Sequence, residues 1–352
     1  MHMADALISP VVGGAALAVA AGLAAVSIKR THDSLDTRKI PLMGIMGAFI
    51  FTAQMINFAI PGTGSSGHLG GGLLLAALLG PSAGFLTMAS ILLIQALFFA
   101  DGGLLAYGCN VINLGFYTCF VVYPLIFRPL VRHGRTGRRI WLASVLSAVL
   151  GLQMGAFSVV LETLLSGKTE LPFASFVLLM QPIHLAIGLV EGLVTASVLS
   201  FVRQAQPELL EAGDGNGSPN HAAPTRKVLA ALAIGILLVG GGLSWFASAN
   251  PDGLEWSMFK VAGVEELDAE SQVHQDLAAV QAKTAFMPDY AFKSDEAGSP
   301  ADSAEDQAAW PAVSAGTSVA GLVGGALTLV LTVLIGLAAV LIRRRQRGRS
   351  AL

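Results

Sequence analysis

The first two residues and one loop histidine carry nitrogen donors of the kind that bind transition metals. The chain begins Met1-His2, and His68 stands in the glycine-rich stretch PGTGSSGHLGGG at 61–72. The α-amine of Met1, the amide nitrogen of His2 and His2 Nδ1 can close a five-membered and a six-membered chelate ring once the amide proton is lost. His68 would add a fourth nitrogen, and a square-planar set of four nitrogens suits Ni²⁺ or Cu²⁺, with Co²⁺ a weaker fit and Zn²⁺ or Mg²⁺ poor fits.

Composition decides the class of protein that must bring these donors together. Of the 352 residues, 54% are hydrophobic and only 12% are charged, and the mean hydropathy is +0.67. These values predict an integral membrane protein. The net charge of -2 argues against a nucleic-acid partner. Cys109 and Cys119 lie in apolar stretches without metal or disulfide spacing, so we expect both to be packing residues.

Eight stretches are long and apolar enough to cross a bilayer, which takes about 20 residues. The first follows the N-terminus without the positive charges that precede a secretory signal, so we expect no cleavage and retention of His2. A further stretch, 69–80, is short for a span and is bounded by glycine and proline. The predicted spans are 10–28, 40–60, 82–100, 104–127, 140–164, 174–202, 227–247 and 317–342.

The distribution of Lys and Arg predicts how the spans are arranged, because these residues accumulate on the cytoplasmic side. Loops 29–39 and 128–139 are both basic. To keep both inside, the chain must cross the membrane three times between them, and this requires 69–80 to enter as a short helix buried by its neighbours. The sequence thus predicts an all-α integral membrane fold, with a seven-helix bundle over 1–202 and an external N-terminus.

A cytoplasmic linker, 203–226, and a second domain, 227–347, complete the prediction. That domain has two further transmembrane helices flanking an external acidic segment, 248–316, and a cytoplasmic C-terminus. Within the segment, 263–284 is expected to contain a helix, 295–307 to be disordered, and His274 to lie on the surface. The topology places Met1, His2, His68 and Asp101 on one external face.

Four stretches together resemble a known family. MHMADALISP, PGTGSSGHLGGGLLLAALLGP, LLIQALFFADGGLLAYGCNVINLG and HLAIGLVEGLVT are similar to the metal-capturing membrane component of energy-coupling-factor nickel/cobalt transporters. PDGLE at 251–255 resembles the signature of the small accessory component found beside it, here fused to the C-terminus. The resemblance covers 1–202 and 225–342.

The resemblance implies a function and a ligand set. Met1, His2 and His68 would bind the transported ion, Ni²⁺ or alternatively Co²⁺ for cobalamin biosynthesis, in a bacterial or archaeal inner membrane. Asp5 favours nickel, since the pattern associated with cobalt carries glutamate. The family's opening glycine is absent from Met3-Ala4-Asp5-Ala6, which leaves the local turn undefined.

The resemblance also implies partners and excludes an enzyme. A transmembrane coupling subunit and a pair of ATPase subunits would drive transport, with bodily rotation of the capture subunit in the membrane. This chain has no Gly-x-x-x-x-Gly-Lys-Ser/Thr loop and so would not hydrolyse ATP itself. No catalytic cofactor is expected, since the metal ion is the cargo.

Polar residues within the spans allow two interpretations. Asn110, Asn113 and His184 would either form interhelical hydrogen bonds or orient the rings of His2 and His68 as outer partners of the metal site. Glu162, near the outer end of its span, is expected to be solvated.

Two other functions stay open from the residues alone. GSSG at 64–67 matches the Gly-x-Ser-Gly of intramembrane serine proteases, with His184 as a general base on another helix. A passive metal channel is the third possibility. A protease does not account for the terminal Met-His.

Overall fold

The computed structural model describes residues 2–34, 39–132, 136–213, 224–268, 271–293, 311 and 313–350. Nearly all regular structure in these residues is helical, as the sequence predicts. In chain order the α-helices are α1 (Pro10–Ser34), α2 (Ile40–Gln54), α3 (Gly72–Leu79), α4 (Pro81–Ile94), α5 (Tyr107–Val111), α6 (Arg128–Arg132), α7 (Gly137–Leu165), α8 (Phe173–Ala205), α9 (Glu208–Gly213), α10 (Arg226–Gly241), α11 (Gly253–Ala262), α12 (Gln272–Thr284) and α13 (Ala315–Ser350). Wider π-helical turns extend α4 through Gln95–Phe99 and join α5 to α6 through Ile112–Phe127.

Six helical stretches in the described residues have the length and apolar composition needed to cross a membrane. Their extents are Pro10–Thr31, Pro81–Phe99, Tyr107–Arg132, Gly137–Leu165, Phe173–Ala205 and Ala315–Leu341. The all-α membrane fold class is therefore confirmed. The number of crossings and the orientation of the termini stay predictions.

Two of the predicted spans end early. The predicted span 40–60 is a helix only over Ile40–Gln54, which at 1.5 Å per residue is about 22 Å long and short of the roughly 30 Å hydrocarbon core. The chain then forms a hairpin, in which β1 (Phe58–Ile60) pairs antiparallel with β2 (Ser65–Gly67). A short apolar run such as 58–60 fits a strand as well as the end of a helix, because apolar content alone does not distinguish a strand from a helix. Likewise, predicted span 227–247 is helical over Arg226–Gly241 and continues as a short 3₁₀ turn.

The short helix predicted within 69–80 is present as α3, and every one of its residues is buried. It packs against α4 and the 112–127 segment. Because neighbouring segments bury α3 on all sides, its apolar side chains are covered although the helix has only eight residues.

The helices of the second domain pack on the first part of the chain. α10 and α13 both lie against α2 and against each other. Gly240 and Gly321 bring the backbones of α10 and α13 into close approach. Trp245 Nε1 donates to Ser318 Oγ at 2.7 Å. Small residues at the contact permit this packing in an apolar medium.

The acidic segment is largely folded where the structure describes it. α11 begins with a capping box in which Asp252 Oδ1 accepts from Leu254 N and Glu255 N. α12 is the helix expected within 263–284. The stretch 295–307, predicted to be disordered, lies outside the described residues, as do residues 214–223 of the linker.

Candidate metal centre

The backbone that follows His2 is held in place by Asn110. Met3 N donates to Asn110 Oδ1 at 2.8 Å, and Asn110 Nδ2 donates to Met3 O at 3.1 Å. Gly103 N donates to the same carbonyl at 2.9 Å, and the Met3 side chain is fully buried. The N-terminal segment is therefore fixed to α5 and the loop before it from residue 3 onward. Met1 itself lies outside the described residues.

Asp5 supplies the turn that the sequence left undefined. Residues Asp5–Leu7 form a 3₁₀ turn, and Asp5 Oδ1 accepts from Leu105 N at 2.7 Å and from Ala106 N at 2.9 Å. A side chain at Gly103 would overlap the Asp5 carboxylate. A carboxylate on two backbone N–H groups thus anchors the segment without the family's usual glycine.

Replacing Asn110 with alanine is expected to loosen this segment. Met3 N and O would lose their side-chain partner in a buried setting, and loss of a residue that orients a metal ligand typically costs 10- to 100-fold in affinity. We expect Ni²⁺ affinity to fall by about tenfold or more, measured by equilibrium dialysis of the purified chain. The control is Asn250→Ala, which removes an exposed amide and should change the affinity by less than about twofold.

The loop that carries His68 is held in place by hydrogen bonds to the side chain of Glu191. The carboxylate of this α8 residue accepts from Gly70 N at 2.8 Å and from Gly71 N at 3.1 Å, and its side chain is buried. Gly71 has a φ of 78°, so the two successive N–H groups form a concave anion-binding nest. The nest sets the direction of the chain just after His68.

His2 and His68 lie next to each other, as expected if both are on the same external face. Their rings stack with centroids 4.9 Å apart and planes 13° apart. His2 Nδ1 pairs with Asp101 Oδ1 at 2.9 Å, and His2 Nε2 is buried with no hydrogen-bond partner in the described chain. Ala100, with a φ of 56°, ends the preceding helix in the left-handed region next to Asp101. Such strain in a non-glycine residue is common at functional sites.

The electrostatics of this pair favour a cation. Burial lowers the pKa of His68 to about 3, so its imidazole is neutral at physiological pH and carries a lone pair for a metal. Burial alone would raise the pKa of Asp101, but the charge and hydrogen bond of His2 and a hydrogen bond from Tyr290 lower it below its usual range. The Asp101 carboxylate next to His2 is therefore anionic, while the His68 ring that stacks on His2 is neutral.

The PDGLE segment lies across the His68 loop. Ser66 N donates to Pro251 O at 2.8 Å, and Ser66 Oγ donates to Asn250 O at 2.8 Å. Trp256 Nε1 donates to Thr63 O at 3.0 Å. Asp252 Oδ2 is 3.9 Å from His68 Nε2. The PDGLE segment is thus part of the wall of the site. The hydroxyl of Ser66, the serine that would be the nucleophile of a Gly-x-Ser-Gly protease, donates its hydrogen bond to the backbone carbonyl of Asn250.

A second accessory residue reaches the other histidine through Asp101. The Tyr290 hydroxyl donates to Asp101 Oδ2, and the Tyr290 ring stacks on Phe99 with centroids 5.1 Å apart. Asp289 and Tyr290 both have positive φ, 50° and 60°. The accessory domain therefore contacts the histidine pair from two directions.

The remaining polar residues are placed differently from some expectations. Asn113 Nδ2 donates to Glu162 Oε2 at 2.8 Å and lies 3.7 Å from Met3 Sδ. Asn110 contacts the backbone of Met3. None of these contacts is made to a histidine ring. Glu162, expected to be solvated, is buried, because Asn113 and Ser158 supply donors to it. His184 lines a cavity together with His68 and Asp252.

His274 is a further correction. It was expected on the surface but is buried, with Nε2 donating to Ile8 O at 2.8 Å and Nδ1 facing Ser271 Oγ at 2.9 Å. The contact crosses from α12 to the N-terminal segment, and a single sequence gives no signal of such a long-range pairing.

Three residues beside the histidine pair were given no role from the sequence, namely Asp101, Glu191 and Asp252, although the predicted topology placed Asp101 on the same external face. Asp252 falls in the recognised PDGLE signature and Asp101 in the quoted FFADGG stretch, so their motifs pointed to the region without a role. Among the described residues there is no group of three or more His, Cys, Asp or Glu side chains arranged to hold a metal.

Comparison with known proteins identifies the family of the chain. Residues 2–209 match the family model for the cobalt uptake substrate-specific transmembrane region, and residues 226–342 match the PDGLE domain. A fused nickel transport protein of Rhodobacter capsulatus is 31% identical over 294 residues, which cover 77% of this chain and 78% of the relative. A putative fused nickel transport protein of Archaeoglobus fulgidus is 35% identical over 233 residues, covering 66% of this chain and 73% of the relative.

A crystal structure of a truncated transition metal transporter is also similar. The identity is 29% and the TM-score is 0.52, over 58% of this chain and 99% of the other. Since the first family model covers more than half of the chain, the chain belongs to the cobalt uptake substrate-specific transmembrane family, with a PDGLE domain fused behind that region.

Proposed function

We propose that the chain is the substrate-capturing component of an ATP-driven transition-metal uptake system and that it binds Ni²⁺ at the external face of the membrane. The observation that carries this proposal is the stacked His2–His68 pair beside the Asp101 carboxylate. Membership in the family and the names of the fused relatives support a metal cargo. Co²⁺ is the alternative cargo.

The proposed ligands are four nitrogens. The Met1 amine, the His2 amide, His2 Nδ1 and an imidazole nitrogen of His68 would lie in one plane around the ion, as suits Ni²⁺. Binding through His2 Nδ1 requires this atom to exchange its Asp101 partner for the metal. Asp101 would then balance part of the charge of the ion from a short distance.

Transport would require other proteins. Since the chain has no phosphate-binding loop of the Walker type, separate ATPase subunits and a transmembrane coupling subunit would supply the energy. In this proposal they dock on the cytoplasmic side, the N-terminus lies outside, and residues 203–226 link the two domains in the cytoplasm of a bacterial or archaeal cell.

Metal competition tests the proposed cargo. The purified full chain in detergent is titrated with Ni²⁺, Co²⁺, Zn²⁺ and Mg²⁺, and we expect the affinities to decrease in that order, with Ni²⁺ at least about tenfold tighter than Zn²⁺. His68→Ala should weaken Ni²⁺ by about 100-fold or more, since even residues that only orient ligands are worth 10- to 100-fold. Equal affinity for Zn²⁺ and Ni²⁺ would argue against a planar site.

The serine-protease alternative makes a different prediction for Ser66. Ser66→Ala removes one hydroxyl that donates to Asn250 O while retaining the main-chain bond to Pro251. One neutral hydrogen bond is worth about 1 kcal/mol, so Ni²⁺ affinity is expected to change by no more than about fivefold. Ni²⁺ binding that survives this change would show that the metal site does not depend on the Ser66 hydroxyl.

A further inference from the structure

A small cavity lies between the His68 loop, α8 and the PDGLE segment. Its walls include His68, His184, Asp252 and Gly253, and the remainder is apolar or glycine. His184 is not one of the proposed four-nitrogen ligands, and within the part of the chain that the structure describes it makes no interhelical hydrogen bond.

The hydrogen bonding of His184 fixes which of its nitrogens carries the lone pair. His184 Nδ1 lies 2.8 Å from Met180 O, and because a carbonyl only accepts, Nδ1 carries the proton and donates. In the neutral ring Nε2 is then an acceptor. This atom is buried without a hydrogen-bond partner in the described residues. A buried, unpaired imidazole nitrogen costs free energy, and a backbone carbonyl on the opposite nitrogen is the arrangement typical of metal-binding histidines.

The other two polar walls have matching chemistry. His68 Nδ1 lies 3.2 Å from Leu69 O, so its Nε2 also points its lone pair away from the backbone partner. Asp252 uses Oδ1 to cap α11, and its Oδ2 is 3.9 Å from His68 Nε2. The side chains of two histidines and one aspartate therefore belong to residues that line one cavity.

We propose that His184, Asp252 and His68 form a second, weaker position for a divalent transition-metal ion, from which the ion is exchanged with the four-nitrogen site. This inference rests on the proposed function, because His68 would serve both positions. In the described chain these three side chains are not yet arranged as a metal-holding group, so binding would have to draw them together, and we expect the ion to be held weakly. Sharing His68 makes the two positions mutually exclusive, so the native chain binds one ion in total.

The test removes the first position and titrates what is left. In the full chain carrying His2→Ala, Co²⁺ binding is measured by equilibrium dialysis and by the visible absorption of the bound ion. We expect one weak site, which is weakened at least about tenfold further by adding His184→Phe or Asp252→Asn. Phenylalanine preserves ring volume without nitrogen, and asparagine preserves the cap of α11.

The matched control is Gln181→Ala in the same background. Gln181 lies on the same helix and pairs with Gln153, outside the walls of the cavity, so this change should leave Co²⁺ affinity within about threefold. Equal Co²⁺ binding by His2→Ala with and without His184→Phe would overturn the second position and leave the four-nitrogen site standing. Failure of the native chain to bind any transition metal would instead overturn the proposed function and this inference together.

Discussion

A chain lengthened by four alanines before Met1 is expected to lose high-affinity Ni²⁺ binding. The extension converts the primary amine of Met1 into an amide and places the new amine too far from His2 to close a five-membered chelate ring with the His2 amide nitrogen. A single added residue is unsuitable, because it would create an Xaa-Xaa-His terminus that itself binds Ni²⁺ in a plane. With one of four nitrogens and one ring lost, the affinity should fall by at least about 100-fold, more than for loss of an orienting residue. Equilibrium dialysis of the two purified chains measures the effect.

The control for this extension is a chain with the same four alanines added after Leu352, which should bind Ni²⁺ as the native chain does. A second comparison is His2→Ala, which retains the amine but loses Nδ1 and should be weakened to a similar degree. Unchanged affinity of the N-terminally extended chain would exclude the amine as a ligand.

Glu191→Ala is expected to disorganise the His68 loop. It leaves Gly70 N and Gly71 N without their shared acceptor in a buried place, and each unpaired buried donor costs about 1–3 kcal/mol. We expect lower thermal stability in detergent and a loss of Ni²⁺ affinity of about tenfold or more. The two readouts are a thermal unfolding curve and a Ni²⁺ titration.

Glu191→Gln separates geometry from charge. The amide keeps the volume of the side chain and one acceptor oxygen, so one N–H retains its partner and both losses should be smaller than for alanine. If Glu191→Ala binds Ni²⁺ as tightly as the native chain, the nest does not position His68.

The sequence predicted those parts of the fold that depend on apolar length and charge. The helical class, the buried short helix Gly72–Leu79 and a helix within 263–284 were all predicted correctly. The hairpin at Phe58–Gly67 was not, because a few apolar residues before a turn satisfy the pattern of a strand as well as that of a helix end. Tertiary pairing decided between the two.

The sequence predicted that the two histidines are neighbours but gave no role to the groups that support them. The meeting of His2 with His68 followed from topology, and the stack confirms that the two are neighbours. The contacts of Asp101, Glu191 and Asp252 join residues about 100 or more positions apart, and one sequence does not record such pairings. Glu162 and His274 were misplaced for the same reason, because a buried polar side chain is recognised only by its partners.

Two contacts from the second domain indicate what its fusion to the first domain contributes to the histidine pair. Asp252 stands beside His68, and Tyr290 holds Asp101 beside His2. Fusion keeps these groups at the site at high effective concentration without a separate association step. The second domain thereby contributes to the surroundings of the metal position in addition to its membrane helices.

The absorption spectrum of the Ni²⁺-loaded native chain tests the central claim most directly. Four nitrogens in a plane make Ni²⁺ low-spin, so the complex should be diamagnetic and yellow-orange, with one visible d–d band that grows to a single equivalent of metal. A paramagnetic, pale green complex, typical of six-coordinate Ni²⁺, would contradict the planar four-nitrogen site.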